Sequence, residues 1–213
     1  ALKESVTNIS HDLRTPLTAI CGYLELLERR EKTPEMERYL ALISDRVEAM
    51  KRLSEELFRC SVALSTQEDG LRLEPVDLNA AVEEAAASFY AALTARGIVP
   101  RVDICQERVV RPLDREALGR VLGNVLSNVL KYSSGDLEIT LRPDGTLAFS
   151  NSAPGLDRVG TARLFDRFYT VENGRGSTGL GLSIARSLCQ SMGGTAEAQY
   201  ENGRLTILLL FPA

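Results

Sequence analysis

The sequence contains no long apolar run, no stretch with a signal-peptide pattern and no excess of basic charge. Its longest purely apolar stretch, Ile207 to Phe211, is far shorter than the ~20 residues that a helix needs to cross a bilayer. The 213 residues include 25 Lys and Arg against 29 Asp and Glu, so the formal net charge is −4. The basic residues are also spread along the chain. We therefore expect no membrane contact within this chain and no nucleic-acid partner.

Cysteine and histidine are scarce as well. The four cysteines lie far apart without any C-x-x-C spacing, and each has apolar neighbours among which a small buried thiol fits. This pattern predicts a reduced, cytoplasmic setting. Because the chain starts within a helical pattern and without Met, we expect it to be the cytoplasmic portion of a longer protein. The cysteines are Cys21, Cys60, Cys105 and Cys189.

Two helices are predicted in the first third of the chain. Apolar residues recur at steps of three and four from Leu2 to Leu27, which is typical of one stripe on a helix. Thr33 and Pro34 supply an N-cap and a first-turn proline for a second helix, whose nearly heptad stripe runs from Met36 to Leu64. Two helices make a thin core. We therefore expect residues 1–66 to form a hairpin that pairs with a second copy as a homodimeric four-helix bundle.

The remaining residues, 67–213, follow a polar break at Ser65 to Gly70 and alternate between short β-rich and helical segments. This alternation predicts a second domain in which helices cover a mixed or antiparallel sheet, so the whole chain is of the α+β class. Helices are predicted at 77–96, 114–132 and 179–192. Strands are predicted at 71–73, 98–105, 137–141 and 146–150, with a final pair around Asn202-Gly203.

The single histidine, His11, lies off the apolar stripe. Ile9 and Leu13 belong to that stripe, and two residues along a helix is about 200°, so His11 points away from the seam. Asp12 flanks it, and Thr15 lies one turn further on. A lone histidine is usually an ordinary surface or core residue. Here an unprotonated ring nitrogen could act as a nucleophile, with Asp12 orienting the ring and accepting its proton.

Two further segments suit a polyphosphate ligand. Asn124 and Asn128, followed by Lys131 and Tyr132, lie along one side of the predicted helix 114–132, and amide oxygens with a lysine suit Mg²⁺-bound phosphates as well as a plain solvated surface. The glycine-rich run 174–182 leads directly into a helix, whose free N–H groups attract phosphate, although such a run can also be a simple connector. It lacks the spacing of a dinucleotide fingerprint or a Walker loop.

Taken in order, these segments resemble the sequence boxes of sensor histidine kinases, over essentially the whole chain. The resemblance implies a dimerisation and histidine-phosphotransfer hairpin, followed by a two-layer α/β sandwich that binds ATP, of the gyrase, heat-shock-90 and histidine-kinase type. The boxes are Ser10 to Thr18 (histidine), Leu122 to Ser133 (asparagine), Asn151 to Gly155 (aspartate-glycine), Leu164 to Tyr169 (phenylalanine) and Gly176 to Leu182 (second glycine).

The resemblance also implies roles for single residues. His11 would accept the phosphoryl group, Asp12 would act as its base, and Thr15 would position water when the kinase dephosphorylates its partner, the receiver domain of a response regulator. Asn128 would bind Mg²⁺. The residues implied at the nucleotide or in its lid are Asn124, Asn128, Lys131, Tyr132, Asn151, Gly155, Arg167, Phe168, Arg175, Gly176, Thr178, Gly179, Leu180 and Gly181.

The location of these roles on two domains implies movement between them. His11 must reach ATP, so the linker Ser65 to Gly70 is expected to act as a hinge. Family members are most often anchored in the bacterial inner membrane, and the resemblance implies the same for the full-length protein.

Three positions depart from the family pattern. Asn151 stands where an aspartate usually accepts a hydrogen bond from the adenine amino group, Ala153 replaces the usual first glycine, and Thr170 replaces an arginine for which Arg175 could substitute. An amide oxygen at 151 can still accept that hydrogen bond. Three other functions therefore remain open. The protein could be a non-catalytic dimeric scaffold, or it could act chiefly as a phosphatase. A gyrase-like or chaperone-like ATPase ranks last.

Overall fold

The computed structural model describes residues 17–24, 26–27, 33–47, 49–50, 70–166, 169–170 and 179–212. The chain divides into two compact units, residues 1–65 and 66–213. None of the described helices is both long and apolar enough to cross a membrane.

The described part of the first unit contains two helices. Helix α1 includes residues 17–24 and 26–27, and helix α2 includes residues 34–47 and 49–50. Thr33 caps α2 as predicted, because its Oγ1 accepts a hydrogen bond from the Met36 N–H at 3.3 Å. A small core joins the two helices: Leu17, Leu24 and Val47 are buried, and Cys21 and Leu40 pack against them.

Much of the predicted apolar stripe remains exposed within this unit. A pair of helices can cover only one line of side chains on each partner, so the flanking apolar positions stay in contact with solvent. The stripe residues with 39 to 51% of their surface exposed are Ile20, Leu27, Met36, Ile43 and Met50.

The second unit is a sheet covered by helices, which confirms the predicted α+β class. In chain order the elements are β1 (Glu74–Asp77), α3 (Leu78–Ala95), β2 (Val99–Ile104), β3 (Val110–Leu113), α4 (Arg115–Tyr132), β4 (Asp136–Leu141), β5 (Thr146–Ser152), α5 (Arg158–Arg163), α6 (Gly181–Ser191), β6 (Thr195–Glu201) and β7 (Arg204–Leu210). The main sheet has the order β2-β4-β5-β7-β6; β2 and β4 are parallel and the other neighbours are antiparallel. Strands β1 and β3 form a separate antiparallel pair.

The two predicted hairpin turns are present. Gly145 has a φ of +90° between β4 and β5, and Asn202 and Gly203 have φ values of 51° and 79° between β6 and β7. Two consecutive residues with positive φ match the right-handed twist of the adjoining strands, which explains the Asn-Gly pair.

One face of the main sheet forms the core. Leu137, Ile139 and Leu141 alternate with polar residues along β4, and only the apolar set is buried. The opposite face carries polar side chains such as Ser150 and Thr206, which bond to each other at 3.1 Å. The helical layer therefore covers one face only, which gives the predicted two-layer sandwich.

Some local predictions were wrong or incomplete. The strand expected at 71–73 lies instead at Glu74–Asp77, and its partner Val110–Leu113 was missed. Pro75 and Pro112 face each other in this pair. Proline normally argues against a strand, but a two-stranded ribbon has only edge strands, where a missing donor is tolerated. Helix α5 was also missed, because six residues are too few for a helical period.

Of the four cysteines, Cys189 is fully buried, as predicted. Burial raises the pKa of its thiol to about 12, which keeps it protonated and unreactive at neutral pH. Cys21 and Cys105 are half-buried rather than buried. Cys60 lies outside the described residues.

Candidate functional site

Helix α4 holds four of the predicted site residues. Asp114 caps its N-terminus by accepting a hydrogen bond from the Ala117 N–H at 2.9 Å. Asn124 and Asn128 lie one turn apart and are half-exposed, as are Lys131 and Tyr132. The opposite side of the helix packs into the core through Leu118, Val121, Leu122, Val125, Leu126 and Val129. The predicted division of this helix into a polar and an apolar side is therefore confirmed.

The end of α4 is tied to strand β5. Ser133 ends the helix, and its hydroxyl donates a hydrogen bond to the Asp136 carbonyl at 2.6 Å. The next residue, Ser134, donates its N–H to the Ser152 carbonyl at 3.0 Å. Because Ser152 follows Asn151, the second of these bonds connects the end of the asparagine-bearing helix to the second predicted part of the site.

The end of the glycine-rich run lies against Asn124. Gly179 has a φ of +71°, which side-chain-bearing residues rarely adopt, and α6 starts two residues later. A Cβ atom on Gly181 would lie 3.7 Å from Asn124 Oδ1. In the part of the chain that the structure describes, no side chain caps the N-terminus of α6. Its first N–H groups, at the positive end of the helix dipole, are therefore next to the amides of α4, which is an arrangement that attracts phosphate.

Asn151 is buried within β5. It has 2% of its surface exposed, and its Nδ2 donates a hydrogen bond to the Ser152 carbonyl at 3.1 Å. A buried amide with a defined hydrogen bond has a fixed orientation, which suits a residue that recognises a ligand rather than one in contact with solvent.

The alanine at position 153 is compatible with the local backbone. Among the described residues other than glycine, only Asn202 has a positive φ, so Ala153 has an ordinary conformation. Its N–H donates to the Gly203 carbonyl at 2.8 Å, and its own carbonyl accepts from the Tyr200 hydroxyl at 3.1 Å. Glycine is therefore not required here. Gly155 follows in an exposed turn.

Comparison with known proteins gives this arrangement a family. Residues 1–61 match the family described as His Kinase A (phospho-acceptor) domain, and residues 113–213 match the family described as Histidine kinase-, DNA gyrase B-, and HSP90-like ATPase. The sensor histidine kinase YcbM of Bacillus subtilis is 30% identical over 98% of this chain and 71% of its own length. The chain belongs to the sensor histidine kinases.

Two other proteins extend the comparison. The sensor protein kinase WalK of Staphylococcus aureus is 28% identical over 98% of this chain, which spans 52% of the length of WalK. The Acinetobacter baumannii histidine kinase AdeS has a similar fold, with a TM-score of 0.66, 22% identity and coverage of 95% of this chain and 97% of that one. Residues 113–213 are thus the ATP-binding part of a protein histidine kinase, and the predicted family and activity class are confirmed.

Part of the predicted site lies outside the described residues. This part comprises the three site residues of the histidine box, two residues of the phenylalanine box and the first part of the glycine run, together with residues 65–69 of the linker. The site residues concerned are His11, Asp12, Thr15, Arg167, Phe168, Arg175, Gly176 and Thr178.

Residues that the sequence did not reveal pack against two aromatic side chains of the phenylalanine box. Arg163 of α5 stacks over the Tyr169 ring at 4.4 Å, and Arg186 of α6 stacks over the Phe165 ring at 5.3 Å. A Cβ on Gly160 would lie 3.0 Å from the Tyr169 hydroxyl, so a larger residue there would require that hydroxyl to shift slightly. Periodicity carries no signal for such contacts between distant segments.

Charged groups stabilise the frame around the ATP site. Burial raises the pKa of Asp136, but hydrogen bonds from the Ser152 N–H and from Arg204 outweigh burial and hold that pKa below its usual range. Asp136 is therefore ionised at neutral pH, and it fixes the backbone next to Asn151.

The donor set fits Mg²⁺ that arrives with ATP. The described residues contain no group of three or more His, Cys, Asp or Glu side chains that could hold a metal ion. Mg²⁺ commonly takes one or two protein oxygens and completes its shell with phosphate and water. The half-exposed amide of Asn128 offers such an oxygen, so the residues present are compatible with the predicted ion.

Proposed function

We propose that this kinase transfers the γ-phosphoryl group of ATP to His11 and then passes it to an aspartate in the receiver domain of a response regulator. The choice of His11 as the phosphoryl acceptor rests on the following observation. The phospho-acceptor family matches residues 1–61, and His11 is the only histidine in the 213-residue sequence.

The ATP-binding unit supports this reaction mainly by position and charge. Phosphoryl transfer requires alignment of the reacting groups and compensation of the phosphate charge, with little covalent chemistry from the protein. The α6 N-terminus and the amides of Asn124 and Asn128 supply oriented dipoles for the phosphates. Mg²⁺, held through Asn128, would neutralise part of the phosphate charge.

His11 provides the nucleophile. A ring nitrogen of neutral imidazole forms a bond to the γ-phosphorus while the bond from that phosphorus to the β–γ bridging oxygen breaks, and ADP leaves. Asp12 accepts the proton from the other ring nitrogen. Near neutral pH a histidine has an unprotonated nitrogen available, so no special activation is needed.

Labelling with γ-³²P-ATP tests the acceptor residue. The chain should acquire label that is lost in acid and retained in alkali, as expected for a phosphoramidate, and His11→Gln should acquire none. An equal signal in His11→Gln would refute the assignment. Absence of label from the parent chain, with ATP binding intact, would favour the scaffold or phosphatase alternatives.

We also propose that the helical unit is a homodimer. Its support is the uncovered apolar stripe of α1 and α2, which a second copy would bury in a four-helix bundle. Light scattering at micromolar concentration should give twice the chain mass. A monomeric mass would contradict the dimer.

The linker provides the hinge in this proposal. A cross-link that joins residues 65–70 to the adjacent unit should abolish autophosphorylation while ADP still binds. Unchanged labelling of the cross-linked chain would exclude the hinge.

Phosphatase activity towards the receiver domain is proposed for the same histidine box. Thr15 lies one helical turn from His11 in the sequence, where its hydroxyl could position an attacking water. Thr15→Ala should lose dephosphorylation of the receiver domain and retain autophosphorylation. A retained phosphatase rate would remove Thr15 from this role.

The full-length kinase is proposed to be anchored in the bacterial inner membrane, with this chain in the cytoplasm. The support is that the relatives are longer than the matched region: this chain spans 71% of YcbM and 52% of WalK. Fractionation of cells that produce the full-length protein tests this location.

A further inference from the structure

The chain enters the ATP-binding unit next to the start of helix α4. Strands β1 and β3 pair up to Glu74 opposite Leu113, and Asp114 is the cap between β3 and α4. The Asp114 carbonyl is not available to continue this ladder, because it accepts a hydrogen bond from the Leu118 N–H at 2.9 Å in the first turn of the helix. The side chain continues the ladder instead: Asp114 Oδ2 accepts a hydrogen bond from the Arg72 N–H at 3.0 Å. The incoming chain is therefore held before β1 begins.

Both oxygens of this carboxylate are bound. Asp114 has 8% of its surface exposed, and its Oδ1 accepts from the Ala117 N–H at 2.9 Å while Oδ2 accepts from Arg72. A helix cap needs only one side-chain oxygen, so the second oxygen has a use other than capping. Hydrogen bonds to a carboxylate are roughly twice as strong as neutral ones. The Asp114–Arg72 bond thus joins the chain just beyond the proposed hinge to the helix that carries the two site asparagines.

We propose that Asp114 is a positioning residue for phosphoryl transfer, because its bond to the Arg72 N–H sets where the hinge ends. The inference rests on the proposed hinge and on His11 as the acceptor. With the bond, free movement of the linker stops before Arg72. Without it, the chain is free up to Glu74, where β1 begins, and a longer tether lowers the effective concentration of bound ATP at His11. Nucleotide affinity is unaffected, because the bond lies outside the proposed phosphate site.

Two substitutions remove the Asp114–Arg72 bond from opposite sides. Asp114→Ser keeps a side-chain oxygen that caps α4 as well as aspartate does, but it has no second oxygen for Arg72. Arg72→Pro removes the donor N–H. Arg72→Ala is the matched control for the proline, since the donor belongs to the backbone and remains. Glu74→Ala is the control for the serine, because it breaks only the nearby exposed ion pair with Arg115 at 3.5 Å, which should contribute little.

Trypsin cleavage after Arg72 measures whether the bond holds the chain. The Arg72 side chain is exposed, so cleavage there is limited by local opening of the backbone. Asp114→Ser should be cleaved at this position at least about fivefold faster than the parent chain, because opening no longer breaks a hydrogen bond to a carboxylate. Glu74→Ala should be cleaved at the parental rate. Mass spectrometry identifies the fragments. Equal cleavage rates in Asp114→Ser and the parent would overturn the inference.

Labelling by γ-³²P-ATP measures the positioning role. Asp114→Ser and Arg72→Pro should each lower the rate of label formation at saturating ATP by roughly twofold or more, with an unchanged KM for ATP and an unchanged dissociation constant for ADP. The double variant should be no slower than the slower single variant, because both changes remove the same bond. Arg72→Ala and Glu74→Ala should keep the parental rate. A parental rate in both bond-breaking variants, or a loss that appears only in KM, would overturn the positioning role.

The outcomes separate the inference from the proposed function. If the parent chain acquires no label on His11, the proposed reaction is wrong and the inference fails with it. If the parent is labelled and both bond-breaking variants keep its rate, the reaction stands and only the role of Asp114 fails. Thermal melting shows whether each variant is folded. If one of them is unfolded, the other decides, because each breaks the bond from its own side.

Discussion

The two units of this kinase differ in how completely they cover their apolar residues. In the ATP-binding unit, Phe149, Phe211 and most aliphatic side chains of the sheet and of α4 are buried. Among the described residues of the helical unit, Leu17, Leu24 and Val47 are the buried apolar side chains, whereas several other large apolar side chains are exposed. The ATP-binding unit contains its own core, whereas the described part of the helical unit leaves apolar surface that the proposed dimer would bury. The stability of the first should therefore be independent of protein concentration, and that of the second should depend on it.

The largest effect is expected in the self-sufficient core. Phe149→Ala should lower the free energy of unfolding of the ATP-binding unit by about 3–5 kcal/mol, because it removes a fully buried ring and leaves a cavity. Denaturant titration of the chain measures this loss. Val159→Ala, at a side chain with 69% exposure, is the control and should change the value by less than about 0.5 kcal/mol. Similar losses in both variants would contradict the core described here.

The next largest effect is expected from a charge placed in the exposed apolar stripe of the helical unit. Ile43→Glu should weaken the proposed dimer about tenfold or more, because it places a charge in the surface that a second copy would bury. Glu37→Ala, on the exposed surface of the same helix, is the matched control. Sedimentation equilibrium compares the two. A dimer of unchanged affinity in Ile43→Glu would show that this face is not the interface.

A smaller effect distinguishes the glycines at the end of the lid. Gly179→Ala should raise the dissociation constant of ADP several-fold, because its φ of +71° costs a side-chain-bearing residue about 1–2 kcal/mol. Gly181→Ala should affect binding less, since its new Cβ would be at an ordinary contact distance of 3.7 Å from Asn124. Calorimetry with ADP gives both values. A stronger effect in Gly181→Ala would contradict this ranking.

The smallest effect concerns pH. Burial raises the pKa of Asp114, but the backbone N–H groups of Ala117 and Arg72 outweigh it and hold that pKa below 3.8. A lowered pKa in the folded state means that the carboxylate stabilises the fold above pH 3.8, and that this contribution is lost as the pH falls through the folded-state pKa.

Asp114→Asn should therefore be less stable than the parent chain at pH 7, with a smaller difference at pH 3. Thermal melting at both pH values measures the two differences. An equal difference at pH 7 and pH 3 would argue against a stabilising charge at Asp114.

The sequence predicted the long helices and strands and the order of the site segments along the chain, because the signals for these features are local. Asp77 and Asp114 mark helix starts, and Asn202-Gly203 marks a turn, because each residue acts on its own backbone. The β1–β3 pair was missed because its prolines contradict a strand unless it is known to lie at an edge. The hydrogen bonds that hold the Ser152 backbone could not be predicted, since they depend on Asp136 and Ser134 from another part of the chain.

One measurement with two readouts tests most directly whether one unit supplies the phosphoryl acceptor and the other binds the nucleotide. His11→Gln, Asn128→Ala and the parent chain are compared for ADP affinity and for labelling by γ-³²P-ATP. The account predicts that both variants lose the label, that His11→Gln binds ADP as the parent does, and that Asn128→Ala binds it at least about tenfold more weakly. Full labelling of His11→Gln, or unchanged ADP binding together with full labelling in Asn128→Ala, would contradict it.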